Sequence, residues 1–296
     1  MSEFKSGFVS IVGRPNVGKS TLLNQIIGQK IAIISSKPQT TRNNILGVWN
    51  RDNMQIVFVD TPGIHKPFTK LGETMMKSAD NAMRDADVVL FLVEPDMTPG
   101  KTEEKIMEDL KQTGLPVILV INKIDCVKKE TLLPVIAAYQ QAYEFAAVHM
   151  ISARRNDGVD MLLKEIEGYM QEGPMYFPED AVTDQPERQV VAELVREKLL
   201  HLLDKEVPHG IAIEVFSMKE KETLCDIEVN IYCERQSHKG IVIGKGGSVL
   251  KEAGTMARAD IEKMLDKKVL LKLWVKVKDD WRNKEGMLRN FGYTGE

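Results

Sequence analysis

GRPNVGKS, residues Gly13–Ser20, is the most informative segment of this 296-residue sequence, and it directly follows the apolar run Phe8–Val12. It fits G-x-x-x-x-G-K-[ST] in the strand-to-helix context that this phosphate-binding loop (P-loop) requires. Its glycines let backbone N–H groups surround phosphates, and the helix that follows presents its N-terminus to the anion. The residues predicted to hold phosphates are Gly13, Asn16, Val17, Gly18, Lys19, Ser20 and Thr21.

Two side chains of this loop have expected roles. Lys19 would contact the β- and γ-phosphates, and Ser20 would bind Mg²⁺. The alternative is a tight strand-to-helix turn with an incidental lysine, which would not need the whole motif in this context.

A second motif, Asp60-Thr-Pro-Gly63, follows the apolar run Gln55–Val59. Asp60 would then hold Mg²⁺ and the N–H of Gly63 could sense the γ-phosphate. In isolation this tetrapeptide is also an ordinary proline turn, so its value depends on the P-loop beside it.

A third motif, Asn122-Lys-Ile-Asp125, follows the apolar run Val117–Ile121 and suggests which base is bound. Guanine offers two donors, N1–H and the 2-amino group, that one carboxylate such as Asp125 can accept, whereas adenine lacks this pair. Ser152-Ala153 could add a backbone N–H for guanine O6, although this dipeptide is common in loops. The predicted ligands are GTP and GDP. The residues predicted to bind the base are Asn122, Lys123, Asp125, Ser152 and Ala153.

These elements occur in one order, each at the carboxyl end of a predicted strand, and so resemble the translation-factor-type GTPases. The resemblance implies a mobile loop between the first helix and the second strand, here Ser35–Asn44, that orders around Mg²⁺. Either Thr40 or Thr41 should supply a hydroxyl to the metal, and Thr41 is the better match by its place before Arg42. A solvated polar loop is the alternative. The predicted metal ligands are Ser20, Thr41 and Asp60.

One position departs from many relatives, in which a glutamine after D-x-x-G orients the attacking water. Ile64 stands there, and because an aliphatic side chain cannot hydrogen-bond water, slow intrinsic hydrolysis is predicted. The chain resembles a subgroup in which a P-loop asparagine, matching Asn16, is linked to a K⁺ ion that replaces an arginine finger. Alternatively, Asn16 only braces the loop. The residues expected to act in hydrolysis are Asn16, Lys19, Thr41 and Gly63.

Short β-branched runs alternate with amphipathic, helix-length segments over residues 1–172. This order predicts an α/β domain with a mostly parallel sheet, helices on both faces and a ligand at the carboxyl ends of the strands. Residues 173–186 contain three prolines and no periodicity, and are predicted to be an interdomain linker. The predicted strands are Phe8–Val12, Ile45–Trp49, Gln55–Val59, Val88–Val93, Val117–Ile121 and Val148–Ile151.

Residues 187–296 have a different order of helix, strand, strand, helices and strand, which predicts a smaller α+β domain. Within it, Ile241-Val-Ile-Gly-Lys-Gly-Gly-Ser248 places G-x-x-G between an apolar run and a helix. In K-homology (KH) domains such a loop holds the backbone of single-stranded nucleic acid. The motif alone is also a common helix-to-helix turn, and it is the order of elements that favours a type II KH domain.

The charge of this region is consistent with RNA binding, since residues 235–278 contain eleven Lys or Arg and four Asp or Glu, a net charge of +7. A charge run is more often only a solvated face. Alternation along Val269–Val277 predicts that the last strand buries apolar residues and exposes a basic face. Trp274 is expected to pack under the helices, with base stacking as the alternative. The residues predicted to bind RNA are Gly244, Lys245, Gly246, Gly247, Lys272 and Lys276.

A GTPase domain ahead of a KH domain, over essentially the whole chain, resembles the bacterial Era family. The segments that match are GRPNVGKS, KPQTTR, DTPGIHKP, NKID and IGKGG. The resemblance implies binding near the 3′ end of small-subunit ribosomal RNA and a role in maturation of the small ribosomal subunit. It also implies loose attachment to the inner face of the cytoplasmic membrane. A monomer is expected.

Composition is consistent with a soluble, cytoplasmic protein. The chain is 43% hydrophobic and 28% charged, with a net charge of −3 that by itself indicates no partner. No basic-then-apolar signal layout opens the sequence, and the apolar runs are too short to span a membrane. Three cysteines without paired spacing favour a reducing compartment.

Two other functions compete with a GTP-driven switch. A P-loop kinase would transfer phosphate to a small molecule, but the guanine-type motif at residues 122–125 argues against it. A pure RNA-binding scaffold would have an inert nucleotide site, but Lys19, Ser20, Asp60 and Asp125 are all present. Detection of a phosphorylated acceptor would indicate the kinase, and release of free phosphate would exclude the scaffold.

Overall fold

The computed structural model describes residues 4–96 and 98–293 and contains two β-sheets. Within these residues no helix combines the length and apolar character needed to cross a membrane. The strands are β1 (Lys5–Gly13), β2 (Ile45–Arg51), β3 (Met54–Asp60), β4 (Val88–Val93), β5 (Val117–Ile121), β6 (Ala147–Met150), β7 (Gln171–Glu172), β8 (Ile211–Glu220), β9 (Leu224–Cys233) and β10 (Lys268–Val277). The α-helices are α1 (Lys19–Ile27), α2 (Lys70–Arg84), α3 (Lys101–Thr113), α4 (Leu132–Ala142), α5 (Val159–Glu167), α6 (Glu187–Leu202), α7 (Gln236–Ile243), α8 (Ser248–Leu265) and α9 (Glu285–Asn290).

The first sheet has the strand order β2-β3-β1-β4-β5-β6. All neighbouring pairs along this order are parallel except β2 and β3. Strands β4 and β5 are buried along their whole length, as expected for parallel strands covered by helices on both faces. The two-residue strand β7 pairs antiparallel with the start of β1 and was not predicted, because so short a segment has no periodicity. The predicted α/β class is confirmed.

The predicted linker, residues 173–186, is ordered against the first sheet. The N–H of Val48 donates to the carbonyl of Val182 at 3.0 Å, and the hydroxyl of Thr183 donates to the carbonyl of Leu46 at 2.7 Å. The side chain of Gln55 also accepts from the backbone N–H of Phe177 at 2.9 Å. The segment therefore covers β2, a sheet edge that would otherwise be open to pairing with another chain.

The second sheet has the order β10-β9-β8, with β8 antiparallel and β10 parallel to the central strand. Helices α6 and α8 pack on one face of this sheet and enclose a separate hydrophobic core. The succession α6, β8, β9, α7, α8, β10 is the helix-strand-strand-helix-helix-strand order predicted for a type II KH domain, and this part of the fold is confirmed. The limits 1–172 and 187–296 stay predictions, although each range contains one sheet.

The chain after β10 returns to the first domain, which the sequence did not reveal. Trp281 is 0% exposed and packs with Leu288 and Tyr293 against Leu71 and Met75 of α2. The indole N–H of Trp281 donates to the carbonyl of Gly210 at 2.9 Å. A further hydrophobic cluster therefore lies between the two domains and joins the helix after the D-x-x-G motif to the KH sheet.

Candidate nucleotide site and nucleic-acid groove

The P-loop wraps the carboxyl end of β1 and leads into α1. Gly18 has φ +103°, and a Cβ there would lie 2.2 Å from the side-chain nitrogen of Asn122, so only glycine fits. A cleft of about 460 Å³ opens above the loop. Its walls come from the P-loop, from residues 33–41, and from Gly63, Lys123 and Arg154. The structure thus brings the predicted phosphate loop and the predicted mobile loop to one cleft.

Lys19 is the charged group at the floor of this cleft. Its side chain is buried, and Nζ donates to the carbonyl oxygens of Gly13 at 3.1 Å and Arg14 at 3.0 Å. Burial lowers the pKa of Lys19 to about 8, an effect that the charge of Asp60 partly offsets. A buried ammonium that lacks a full counter-charge is well placed to receive a phosphate.

The three predicted metal ligands lie together. The Ser20 hydroxyl donates to Asp60 Oδ2 at 2.6 Å and lies 3.0 Å from the Thr41 hydroxyl, which is itself 3.3 Å from Asp60 Oδ2. Asp60 is fully buried, burial raises its pKa, and its Oδ1 has no hydrogen-bond partner among the described residues. The charge of Lys19 offsets only part of the effect of burial on this carboxylate, and oxygen ligands of this kind suit Mg²⁺. The residues present therefore fit the metal.

The structure distinguishes the two threonines of the mobile loop. The hydroxyl of Thr40 donates to the carbonyl of Lys37 at 2.6 Å, inside its own loop, whereas Thr41 faces Ser20 and Asp60. Metal binding by Thr41 stays a prediction, but the arrangement favours it over Thr40.

The D-x-x-G motif lies directly against the P-loop. A Cβ on Gly63 would lie 2.8 Å from the backbone of Pro15, and the N–H of Ile64 donates to the carbonyl of Gly13 at 3.2 Å. The side chain of Ile64 packs against the hydrophobic cluster formed with β4 and β5. This position therefore offers no polar group that could orient a water molecule.

Asn16 joins the P-loop to the mobile loop. Its backbone is left-handed, with φ 68°, and its side-chain nitrogen donates to the carbonyl of Ser36 at 2.6 Å. This hydrogen bond is consistent with the alternative that Asn16 only braces the loop. It leaves the side-chain oxygen of Asn16 as the atom that could face a cation.

The residues predicted to bind the base are held in place by one another. Asn122 donates to the carbonyl of Val17 at 2.8 Å and accepts from the N–H of Ala153 at 3.0 Å. The Ser152 hydroxyl donates to Asp125 Oδ1 at 2.7 Å, and this bond lowers the pKa of Asp125. The hydrogen bond from Ser152 thus keeps Asp125 ionised and fixes the orientation of its carboxylate, as selection of guanine requires.

Three features at this end of the cleft were not expected from the sequence. The N–H of Ala153 is engaged by Asn122, so its contact with guanine O6 stays a prediction that the geometry does not favour. Lys123 forms an ion pair with Glu94. Arg155, which was not singled out in the sequence, lies 3.5 Å from Asp125 Oδ2.

The predicted G-x-x-G loop forms the turn between α7 and α8. Gly244, Gly246 and Gly247 have φ values of +76°, +60° and +80°, a region that L side chains rarely adopt. Added Cβ atoms at Gly246 and Gly247 would meet nothing within 4 Å, so the space beside the loop is open to a ligand. Lys245 is exposed next to it.

A groove of about 360 Å³ begins at this loop and runs between α8 and β10. Helical spacing along α8 brings its lining residues to one face, and this periodicity was the signal in the sequence that could have identified the face. The lining residues are Gly247, Leu250, Lys251, Gly254, Thr255, Arg258, Leu271 and Leu273. The groove thus combines a glycine loop that a nucleic-acid backbone can approach, an apolar floor and two cationic side chains, Lys251 and Arg258. These are the features that nucleic-acid binding requires.

The expected basic face of the last strand is not uniformly basic. Leu271 and Leu273 line the groove, so the alternating Lys272 and Lys276 lie on the opposite face of the sheet. Lys272 lies 3.1 Å from Asp226 and 3.4 Å from Glu228 on the neighbouring strand, which offset its charge.

RNA contact by Lys272 and Lys276 therefore stays a prediction that the structure does not favour. Lys276 lies over the ring of Phe216, with 5.7 Å between Nζ and the ring centroid. The expectation that Trp274 packs under the helices is wrong, because its side chain is 53% exposed on this outer face.

Comparisons with known proteins identify the same two kinds of domain. Residues 8–123 match the family model described as a 50S ribosome-binding GTPase, and residues 206–282 match the KH domain. GTPase Era of Ruminiclostridium cellulolyticum is 54% identical over 291 residues, which is 98% of each chain. GTPase Era of Clostridioides difficile is 53% identical over 294 residues, covering 98% of this chain and 99% of its own.

Solved structures lead to the same family. A crystal structure of Era with MgGDPNP and nucleotides 1506–1542 of 16S ribosomal RNA has a TM-score of 0.95 at 42% identity, covering 98% of this chain and 99% of that one. An Aquifex aeolicus Era variant bound to GDP and AlF4⁻ has the same TM-score and identity, covering 98% of this chain and 100% of its own. With this identity over nearly its full length, the chain belongs to the Era family of GTPases.

Proposed function

We propose that this protein is a GTP-hydrolysing switch whose nucleotide state controls an RNA-binding KH domain, and that its RNA is the 3′-end region of small-subunit ribosomal RNA. The observation that carries the proposal is the position of residues 35–44. One side of this loop presents Thr41 to Ser20 and Asp60, and the other side contacts the KH domain through Arg42. A loop that touches both sites can transmit the state of one to the other.

The nucleotide chemistry follows from the residues in the cleft. Lys19 and the backbone N–H groups of the P-loop hold the phosphates, and Asp125 selects guanine. Ser20, Thr41 and Asp60 would hold Mg²⁺, which neutralises charge on the phosphates when it is bound. Ile64 is aliphatic and packs, partly buried, against the core, so its side chain cannot hydrogen-bond an attacking water molecule, and slow intrinsic hydrolysis is proposed.

The RNA site follows from the groove between α8 and β10. The glycines of the loop admit the sugar-phosphate backbone closely, Lys251 and Arg258 supply positive charge, and the leucines form an apolar floor for bases. The solved relative that contains 16S ribosomal RNA supports the identity of the RNA. From this we also propose a role in assembly of the small ribosomal subunit.

Crosslinking tests the RNA assignment directly. RNA crosslinked to the protein is sequenced after incubation with GTP and, separately, with GDP. Enrichment of 3′-end small-subunit sequences in the GTP sample is expected. Crosslinks spread over unrelated RNA in both samples would contradict the assignment.

Use of K⁺ at Asn16 is a further proposal. If K⁺ compensates for the missing glutamine, single-turnover hydrolysis should accelerate when Na⁺ is replaced by K⁺ at constant ionic strength. Asn16→Ala should flatten that response, because it removes the amide oxygen that would face the ion. Equal rates in both salts would show that K⁺ does not act in hydrolysis, and Asn16 would then serve only as a brace for Ser36.

The location and assembly state are proposed as a cytoplasmic monomer with loose attachment to the inner membrane face. Sedimentation of the purified chain measures the assembly state, and flotation with liposomes of bacterial lipid measures attachment to the membrane. A dimer in solution, or no flotation at physiological salt, would contradict the respective proposal.

A further inference from the structure

Thr40, which precedes the predicted metal ligand Thr41, is held by the KH domain. Nη2 of Arg196, on α6, donates to the carbonyl oxygen of Thr40. Arg196 is 0% exposed, and its Nε donates to Glu193 Oε1 at 2.9 Å. If the loop moved away, this guanidinium would lose its hydrogen bond to the Thr40 carbonyl, and the loss of a partner is costly for a buried charge.

Arg42, which follows Thr41, is held by a different part of the same domain. Its Nη1 donates to the carbonyl of Ile211 at 2.7 Å and its Nη2 to the carbonyl of His209 at 3.1 Å. The guanidinium carbon lies 5.7 Å from the ring centroid of Trp281 and 5.8 Å from that of Tyr293. Arg42 is 3% exposed, so this cage of carbonyls and aromatic rings replaces its water.

The start of the loop is fixed in the same way. The residue after Arg196, Glu197, accepts from the N–H of Ile34 at 3.0 Å and from Lys30 Nζ at 2.6 Å. Ile34 lines the nucleotide cleft. Lys30 also lies 3.1 Å from Asp260 on α8, the helix that forms one wall of the RNA groove.

From these contacts we infer that Arg196 is a positioning residue of the nucleotide site: from the RNA-binding domain it holds the Thr40–Thr41 peptide so that the Thr41 hydroxyl faces Ser20 and Asp60. The inference rests on the proposed function, because it takes Thr41 as a ligand used only with a triphosphate and Mg²⁺. Because GDP binding does not need the closed loop, the contact acts selectively on GTP.

The test measures the affinities of a non-hydrolysable GTP analogue and of GDP for the full-length chain in Mg²⁺. Arg196→Ala is expected to weaken analogue binding by about tenfold, the scale of one charge-assisted hydrogen bond. The affinity for GDP should stay within about twofold, since the P-loop and base site are untouched. Arg196→Lys, which can still donate to Thr40, should recover part of the loss.

The ratio of the two affinities separates positioning from a general loss of folding, which would reduce both together. Arg188→Ala is the matched control, because Arg188 is an exposed residue on the same helix. Arg42→Ala removes the other anchor of Thr41 and should change the ratio in the same direction. It keeps the inference testable if Arg196→Ala does not fold.

Thr41→Ala tells the possible failures apart. Suppose that Thr41→Ala lowers analogue affinity. If a folded Arg196→Ala variant then leaves analogue affinity unchanged, or lowers the affinities for analogue and GDP equally, the positioning role is wrong and the proposed function stands. If Thr41→Ala itself leaves analogue affinity unchanged, the metal assignment fails, and the positioning role fails with it.

Discussion

Asp125→Asn is expected to weaken GTP binding by about tenfold or more, because a hydrogen bond to a charged group contributes roughly 1.5–3 kcal/mol. The amide can accept from guanine with one oxygen only, and its NH2 group would face a donor. Xanthosine triphosphate should bind the variant better than the wild type, since its 2-oxo group can accept from the new amide. Titration of both nucleotides against both proteins measures this exchange of preference.

Asp160→Asn provides the control, because this exposed carboxylate on α5 lies outside the cleft. It should leave both affinities unchanged. Since Ser152 holds Asp125 Oδ1 at 2.7 Å, the variant also loses an ionic partner for that hydroxyl, but this effect would weaken both nucleotides alike. Equal GTP affinity in wild type and Asp125→Asn would show that another group selects the base.

The double substitution Lys245→Asp with Gly246→Asp is expected to lower RNA affinity by about tenfold or more, because it sets two carboxylates against phosphates at short range. Gly246 has φ +60°, a conformation that aspartate tolerates better than most residues, and its Cβ would meet no atom within 4 Å. The loop should therefore keep its shape. GTP affinity of the free protein should not change.

A matched variant isolates charge from shape. Lys245→Asn with Gly246→Asn has almost the same volume and backbone preference but adds no negative charge. It should lose less RNA affinity than the aspartate pair, and the difference should shrink as salt is raised at otherwise fixed conditions. A folded aspartate variant that binds RNA as tightly as wild type would remove the G-x-x-G loop from the RNA site.

That the nucleotide-binding motifs lie together was predictable because each motif is local. The P-loop, Asp60 and Asn122 each follow an apolar strand, and parallel strands bring their carboxyl ends to one edge of the sheet. No long-range information was needed to place them together. The G-x-x-G loop was predictable for the same reason, once the order of elements around it was known.

The contacts between domains could not be predicted from local patterns. Arg42 and Tyr293 are separated by 251 positions along the chain, and nothing in either neighbourhood indicates the other. Arg196 lies in an amphipathic helix where an arginine reads as a solvated residue. Lys272 was predicted to bind RNA because strand alternation places it on an exposed face. Alternation does not reveal the acidic residues of the neighbouring strand that offset its charge.

The proposed control of RNA binding by the nucleotide can be measured as the ratio of two RNA affinities. An RNA with the sequence of nucleotides 1506–1542 of 16S ribosomal RNA is titrated against the full-length chain at fixed salt, with a non-hydrolysable GTP analogue and with GDP. Coupling through the loop at residues 35–44 predicts tighter binding with the analogue by roughly five- to 150-fold, the usual range between linked sites. Equal RNA affinity in the two nucleotide states would contradict the account.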